Sequence, residues 1–240
     1  MASRHVLWPV IISLLGVGVC LGKAEVAVLP PGVKAVWDIE KAYKQNTATR
    51  ERVSLNGLWQ WQPATGTAES VPTQGWGYFK VPGPWPGITD YMQKDCQVVY
   101  PHPRWANVRL RDIAAAWYQR TFTIPTEWVD REIVLQAEYV NSLATVFING
   151  QKVDEIVFPG GEVNLTQFCE PGKTYTLSIL VEAIPLKGVL MAYTDSNAAR
   201  QVRGSVARRG LCGDVFLVSR PRGPIIRFAR LESSYRHGSV

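Results

Sequence analysis

The chain of 240 residues predicts an all-β fold, an antiparallel β-sandwich or jelly roll. Three observations carry that expectation. In "NSLATVFINGQKV", Asn141 to Val153, Asn149-Gly150 stands between two alternating runs. Leu143, Thr145 and Phe147 point one way, and Ala144, Val146 and Ile148 the other. A two-residue turn of the primed type needs positive φ at both positions, which Asn and Gly tolerate, so the stretch predicts a hairpin tip. Second, short β-branched and aromatic runs recur, separated by Pro, Gly and Asn, which end strands and make turns. Third, no segment sustains a helical period of apolar residues.

Taken in order, the first 24 residues differ from the rest. "MASRH" is basic, "VLWPVIISLLGVGVCLG" is apolar, and small residues follow at Gly22 and Ala24. This predicts a signal peptide over 1–24, and with it a secreted or periplasmic chain. An uncleaved anchor is the alternative. Cys20 follows Val19, where lipid attachment would need a small residue, so a lipoprotein is excluded. Residues 25–52 read as an exposed leader with one short helical piece at most.

From Val53 to Pro221 the texture is β throughout. Strand candidates are "VSLNGLWQWQP", "GWGYFKVPG", "CQVVYP", "AAWYQRTFTIP", "EIVLQAEYV", "LATVFING", "QKVDEIVFP", "KTYTLSILVEA" and "CGDVFLVSR". In "WYQRTFTIP", Tyr118, Arg120, Phe122 and Ile124 alternate with Trp117, Gln119, Thr121 and Thr123, giving a strand with two faces. Pro125 ends it by removing a donor. Residues 222–240 again alternate, at Ile226 and Phe228, but with no sheet partners of their own. They read as the start of a further domain, disordered beyond about Leu231 and dispensable for the sandwich.

Composition narrows the function classes. Hydrophobic content of 46% against 19% charged residues allows a real core. Beyond the signal remain Cys96, Cys169 and Cys212, an odd number that argues against a disulfide framework. Whether Cys96 and Cys169 bridge stays open; Cys212, beside Val215 and Leu217, reads as a buried core thiol. Only His102 and His237 survive cleavage and no CxxC occurs, so neither a metal nor any other cofactor is expected. Asp130/Glu132 and Asp154/Glu155 lie near turns and read as solvated charge. There is no GxSxG and no glycine-rich phosphate loop. Net charge is +6, with nine arginines between Arg200 and Arg236. A basic patch suits nucleic acid, but an exported chain without an RNA-binding motif argues against it. An interface to further domains, or an anionic sugar, fits better. No second apolar run is long enough for a membrane.

"LNGLWQW", "VPGPWP", "AAWYQRTFTIPTEW", "NSLATVFINGQKV", "VNLTQFCEPGKTYTLSILV" and "RRGLCGDVFLV" follow one another between Val53 and Pro221. In that order they resemble the N-terminal, galactose-binding-like sugar-binding domain of glycoside hydrolase family 2, the family of β-galactosidases, β-glucuronidases and β-mannosidases. The resemblance implies a non-catalytic carbohydrate-binding domain of a β-glycosidase. The two catalytic glutamates would lie on a barrel, after an immunoglobulin-like domain whose first strand residues 222–240 resemble. The chain then reads as truncated, with those catalytic domains its missing partners; a free-standing secreted sugar-binding or structural module is the alternative. Loops of this domain complete the sugar pocket in the family. One precedes Tyr100-Pro101, where Gln97 stands in place of an Asn in some relatives, and its amide suits a hydroxyl. A second family contact, an Asp, falls where this chain has Gly204 and is lost. Trp85, Tyr91 and Trp105 lie in the same loop region, and two readings stand for them: stacking on a sugar ring, or covering the core. Asn164-Leu165-Thr166 is a glycosylation sequon in a eukaryotic host.

Overall fold

The structure, a computed structural model, describes residues 26–64, 70–85, 99–184, 186–191, 199–204 and 208–223, the backbone alone for 186–191 and 199–204. The predicted signal, Cys96 and the tail from 224 onward lie outside the described residues. The strands are β1 (Lys44–Asn46), β2 (Glu51–Ser54), β3 (Gly57–Pro63), β4 (Gly77–Val81), β5 (Val99–Tyr100), β6 (Ala115–Thr123), β7 (Arg131–Ala137) and β8 (Val140–Asn141). They continue with β9 (Leu143–Ile148), β10 (Gln151–Val157), β11 (Gly161–Asn164), β12 (Thr174–Glu182), β13 (Leu186–Met191), β14 (Ala199–Gly204), β15 (Gly210–Leu211) and β16 (Val215–Pro221). Helical structure among the described residues is limited to four single 3₁₀ turns.

Two antiparallel sheets face each other, one in the order β1-β2-β16-β7-β11 and one in the order β10-β9-β12-β6-β3-β4-β5. The pairs β13-β14 and β15-β8 stand apart from them. The chain is therefore an all-β sandwich. Its hairpin tip is where the turn chemistry puts it: Gln151 pairs with Ile148, and Asn149 and Gly150 have φ of 50° and 84°. The Asn149 side chain also accepts a bond from the Thr176 N–H at 2.9 Å, tying the tip to β12.

The period of two sorts the side chains. Ala144, Val146 and Ile148 of β9 join Leu177, Ile179 and Val181 of β12 and Tyr118 and Phe122 of β6 in the main core. Five tryptophans, Trp59, Trp61, Trp85, Trp105 and Trp128, lie in the same cluster. Trp61 sits at its aromatic centre, with ring centroids 5.2 Å from Phe79 and 5.1 Å from Trp105. The outward faces are also covered, which alternation did not foretell. Phe147, Trp117 and Leu180 point away from the core, yet cluster with Trp76 and are buried. On the other sheet Val134, Phe216 and Val218 form a third buried cluster. Beside it Arg220 is held by Glu132 at 2.5 Å and Glu162 at 2.7 Å.

The sandwich begins earlier than Val53. Of the expected leader, β1 and β2 form the edge of the five-stranded sheet, with Lys44 opposite Val53. Trp37 donates its indole N–H to the Leu58 carbonyl at 2.6 Å. Lys44, Gln45 and Asn46 show no apolar alternation because an edge strand need not bury either face. The expected helical piece is the turn Ile39–Lys41, capped by the Asp38 side chain. Two further elements, β11 and the β13–β14 hairpin, had no strand signal of their own. Cys169 is a free, buried thiol. Cys212 is free as well but only half-buried, its Sγ 3.5 Å from the Gly210 carbonyl, because it lies in the connection between β15 and β16 and not within a core strand.

Candidate functional site

The end of the sandwich where β6 begins gathers several connections. Ala183 N–H bonds the Ala114 carbonyl at 2.7 Å, and Ser142 N–H bonds the Glu182 carbonyl at 3.0 Å. Gly83 and Trp85 N–H groups bond the carbonyls of Leu211 and Arg209, each at 2.8 Å. Asn141 donates from its amide to the Arg208 carbonyl at 2.6 Å, and the Ser142 hydroxyl accepts the Ile184 N–H at 3.2 Å. Segment 86–98 departs from this end at Trp85, and the β13–β14 hairpin connects Ile184 to Arg208.

Arg209 holds the cluster together. It is 5% exposed, and its guanidinium donates to the Ile113 carbonyl at 2.5 Å and the Arg111 carbonyl at 2.6 Å. Its charge lies 5.6 Å from the Trp85 ring centroid, close enough for a cation–π contact. Burial lowers the Arg209 pKa, and the nearby Asp112 carboxylate acts against that. Gly210 follows with φ of +107°, and a Cβ there would lie 2.2 Å from Trp85 Nε1. Only glycine fits, for both conformation and space. Tyr118 takes the indole N–H of Trp85 on its hydroxyl, and burial pushes its phenol far above the ordinary range.

Of the four sugar-contact candidates, Tyr91 and Gln97 lie outside the described residues. Trp85 is fully buried between Tyr118, Arg209 and Gly210. Trp105 is 8% exposed, donates to the Gly75 carbonyl at 2.8 Å and packs on Trp61. It also closes over Gly77, where a Cβ would meet its ring at 2.4 Å. Both tryptophans are buried, and neither offers a ring face to solvent. Sequence reading missed Arg209, Tyr118 and Ser142. The "RRG" motif marked the place of Arg209, but nothing in it says that the second arginine turns inward. Gly204, where the family contact would fall, ends β14 opposite Leu186.

The groups fixed at this end are a guanidinium, an indole, a phenol, an amide and a hydroxyl. These anchor loops and bind polar ligands; they do not form a proton-transfer pair. Among the described residues no group of three or more His, Cys, Asp or Glu is placed to hold a metal, and no helix is long and apolar enough to cross a membrane.

Residues 53–204 match the sugar binding domain of glycosyl hydrolases family 2. No curated protein matches the chain. Among solved structures, the β-D-glucuronidase of Dictyoglomus thermophilum aligns with a TM-score of 0.52 at 18% identity, over 75% of this chain and 30% of its own. That of Faecalibacterium prausnitzii aligns at 0.54 and 20%, over 75% and 33%. That of Bifidobacterium dentium, complexed with coumarin-3-O-glucuronide, aligns at 0.53 and 19%, over 75% and 31%. These likenesses show the same fold, and the chain spans about a third of the length of each structure. The chain belongs to glycosyl hydrolases family 2, of which it carries the sugar binding domain.

Proposed function

We propose that this domain is the non-catalytic, sugar-contacting part of a family 2 β-glycosidase, presenting its loop-bearing end to a glycoside held by a catalytic barrel. The observation that carries the reading is the stapling of Trp85 to Arg209 and of Asn141 to Arg208 at one end of a domain of sugar-binding family. Residues fixed before binding lower the ordering cost of a ligand contact made next to them. The glucuronidase neighbours support a β-glucuronide as the ligand class. The two glutamates that hydrolysis needs are supplied by the barrel, and the domain itself takes no cofactor and binds no nucleic acid. The basic, then apolar, N-terminus supports export to the periplasm or the medium.

The test is direct. Purified chain incubated with p-nitrophenyl β-D-glucuronide and the matching galactoside should release no nitrophenolate above the buffer rate. Release that a single carboxylate substitution abolishes would place catalysis inside this chain and overturn the proposal.

A further inference from the structure

The opposite end of the sandwich holds a feature that the loop-bearing end does not explain. The ladder between β3 and β6 stops at Gln60 and Gln119, while β12 stays paired with β6 down to Thr123. Past Gln119, β6 has a ladder on one side only among the described residues. Trp37 stands at the mouth of this split, bonded to the Leu58 carbonyl of β3. Here a cleft of about 390 Å³ opens, within the range of small-ligand sites.

Trp37 is half-buried, whereas Trp59, Trp61, Trp76, Trp85, Trp105, Trp117 and Trp128 are all buried. It is thus the described tryptophan with ring surface left to offer. Its N–H is occupied by Leu58, so what it gives the cleft is carbon surface. Across from it stand exposed hydroxyls, among them Thr123 and Thr174, paired at 2.8 Å, and the exposed carboxylate of Glu127. Glu40 and Asp38 also line it, Asp38 paired with Lys41 at 3.2 Å, and Lys44 is the cation among the lining residues.

Arg120 shows that the cleft wall is held at a cost. It points into the core, is 2% exposed, and has no carboxylate partner among the described residues. Its guanidinium donates to the Leu55 carbonyl and, at 3.3 Å, to the Trp37 carbonyl, and lies 5.4 Å from the Trp59 ring. A buried guanidinium bonded only to two carbonyls does not recover its full desolvation cost. The segment it fixes is the one that carries Trp37.

We infer that this cleft is a second carbohydrate site, taking a neutral β-linked oligosaccharide with one pyranose ring against Trp37 and its hydroxyls on Glu127 and the threonines. An indole presents carbon to the C–H face of a sugar, and carboxylates accept from hydroxyls. Glu40 and Glu127, with Asp38 already paired to Lys41, leave an acidic excess that disfavours a uronate. The site lies roughly 25 Å from the loop-bearing end along β6, at ~3.3 Å per residue. It stands whether or not that end meets a glycoside.

The full chain titrated with cellotetraose and xylotetraose, read by tryptophan fluorescence, should show saturable change. Trp37→Ala should weaken affinity about tenfold, as loss of one stacking contact implies. Trp37→Phe should restore part of it. Glu127→Gln, an exposed change, should weaken binding severalfold with the melting temperature unchanged, and covers the case in which Trp37→Ala does not fold. Tetragalacturonate should bind at least tenfold more weakly than the neutral sugars. No saturable signal with either neutral tetrasaccharide would overturn the inference. So would equal affinity in Trp37→Phe, Glu127→Gln and the parent chain, a preference for tetragalacturonate, or quenching by choline in place of the sugars.

Discussion

The two ends of the sandwich are stapled by the same device and used differently. At one end Arg209 donates to the carbonyls of Ile113 and Arg111; at the other Arg120 donates to those of Leu55 and Trp37. Each guanidinium lies near a tryptophan, Trp85 or Trp59, and each leaves its Nε without a partner. The difference is in what the staple holds. Arg209 sits in a sealed cluster with Trp85 fully buried, which leaves no indole face for a ligand there. Arg120 fixes an edge segment whose Trp37 remains half-buried in an open cleft. Among the described residues, a buried arginine hydrogen-bonded only to carbonyls therefore marks, at each end, a backbone crossing that β-ladders alone do not secure.

The largest test of this comparison is Gly210→Ala. The added Cβ must displace the Trp85 indole and sit at positive φ, so the chain should lose about 3 kcal/mol in urea unfolding. A loss under about 1 kcal/mol would mean that the loop-bearing end repacks freely. Next come Arg120→Met and Arg209→Met. Each leaves two carbonyls unsatisfied and should cost about 2 kcal/mol. They should differ in a second readout: Arg120→Met exposes residues 26–50 to limited proteolysis, whereas Arg209→Met leaves that stretch protected. Identical cleavage patterns would erase the distinction between the ends.

A smaller effect concerns the thiols. Burial pushes Cys169 up to about 12 and Cys212 up to about 11, against an ordinary 9.0. A raised folded pKa keeps the proton on the native thiol, so its stabilising contribution is complete below pH 9 and is lost as pH rises toward the folded value. Between pH 8 and 10 that loss is about 1 kcal/mol for the buried Cys169 and smaller for the half-buried Cys212. Arg120, lowered to about 10 by burial, acts in the opposite direction only above that pH. The fall in urea stability over this interval should be shallower in Cys169→Ala; an unchanged slope would mean that Cys169 ionises normally.

Local chemistry was legible and tertiary choices were not. Asn149-Gly150 announced its hairpin because both residues answer to one backbone requirement, and β6 showed its two faces because alternation is a property of a single strand. Arg120 broke the pattern: a charged residue at an inward position has no sequence mark that says which carbonyls will receive it. Lys44–Asn46 passed for a leader because an edge strand needs no apolar face. Trp85 and Trp105 stood equally for stacking and packing, since both fates favour a large aromatic, and only burial separates them. Cys212 fell short of full burial because the last core strand begins three residues later, at Val215.

The central claim, that the loop-bearing end meets the glycoside and does so without chemistry, comes down to one spectrum. Indole ¹H–¹⁵N resonances of the chain are followed while phenyl β-D-glucuronide is added. The account predicts a saturable shift of the Trp85 indole, which bonds Tyr118, with the Trp37 indole unmoved and no phenol released. A spectrum in which Trp85 stays still at saturating ligand, or in which phenol accumulates, would contradict it.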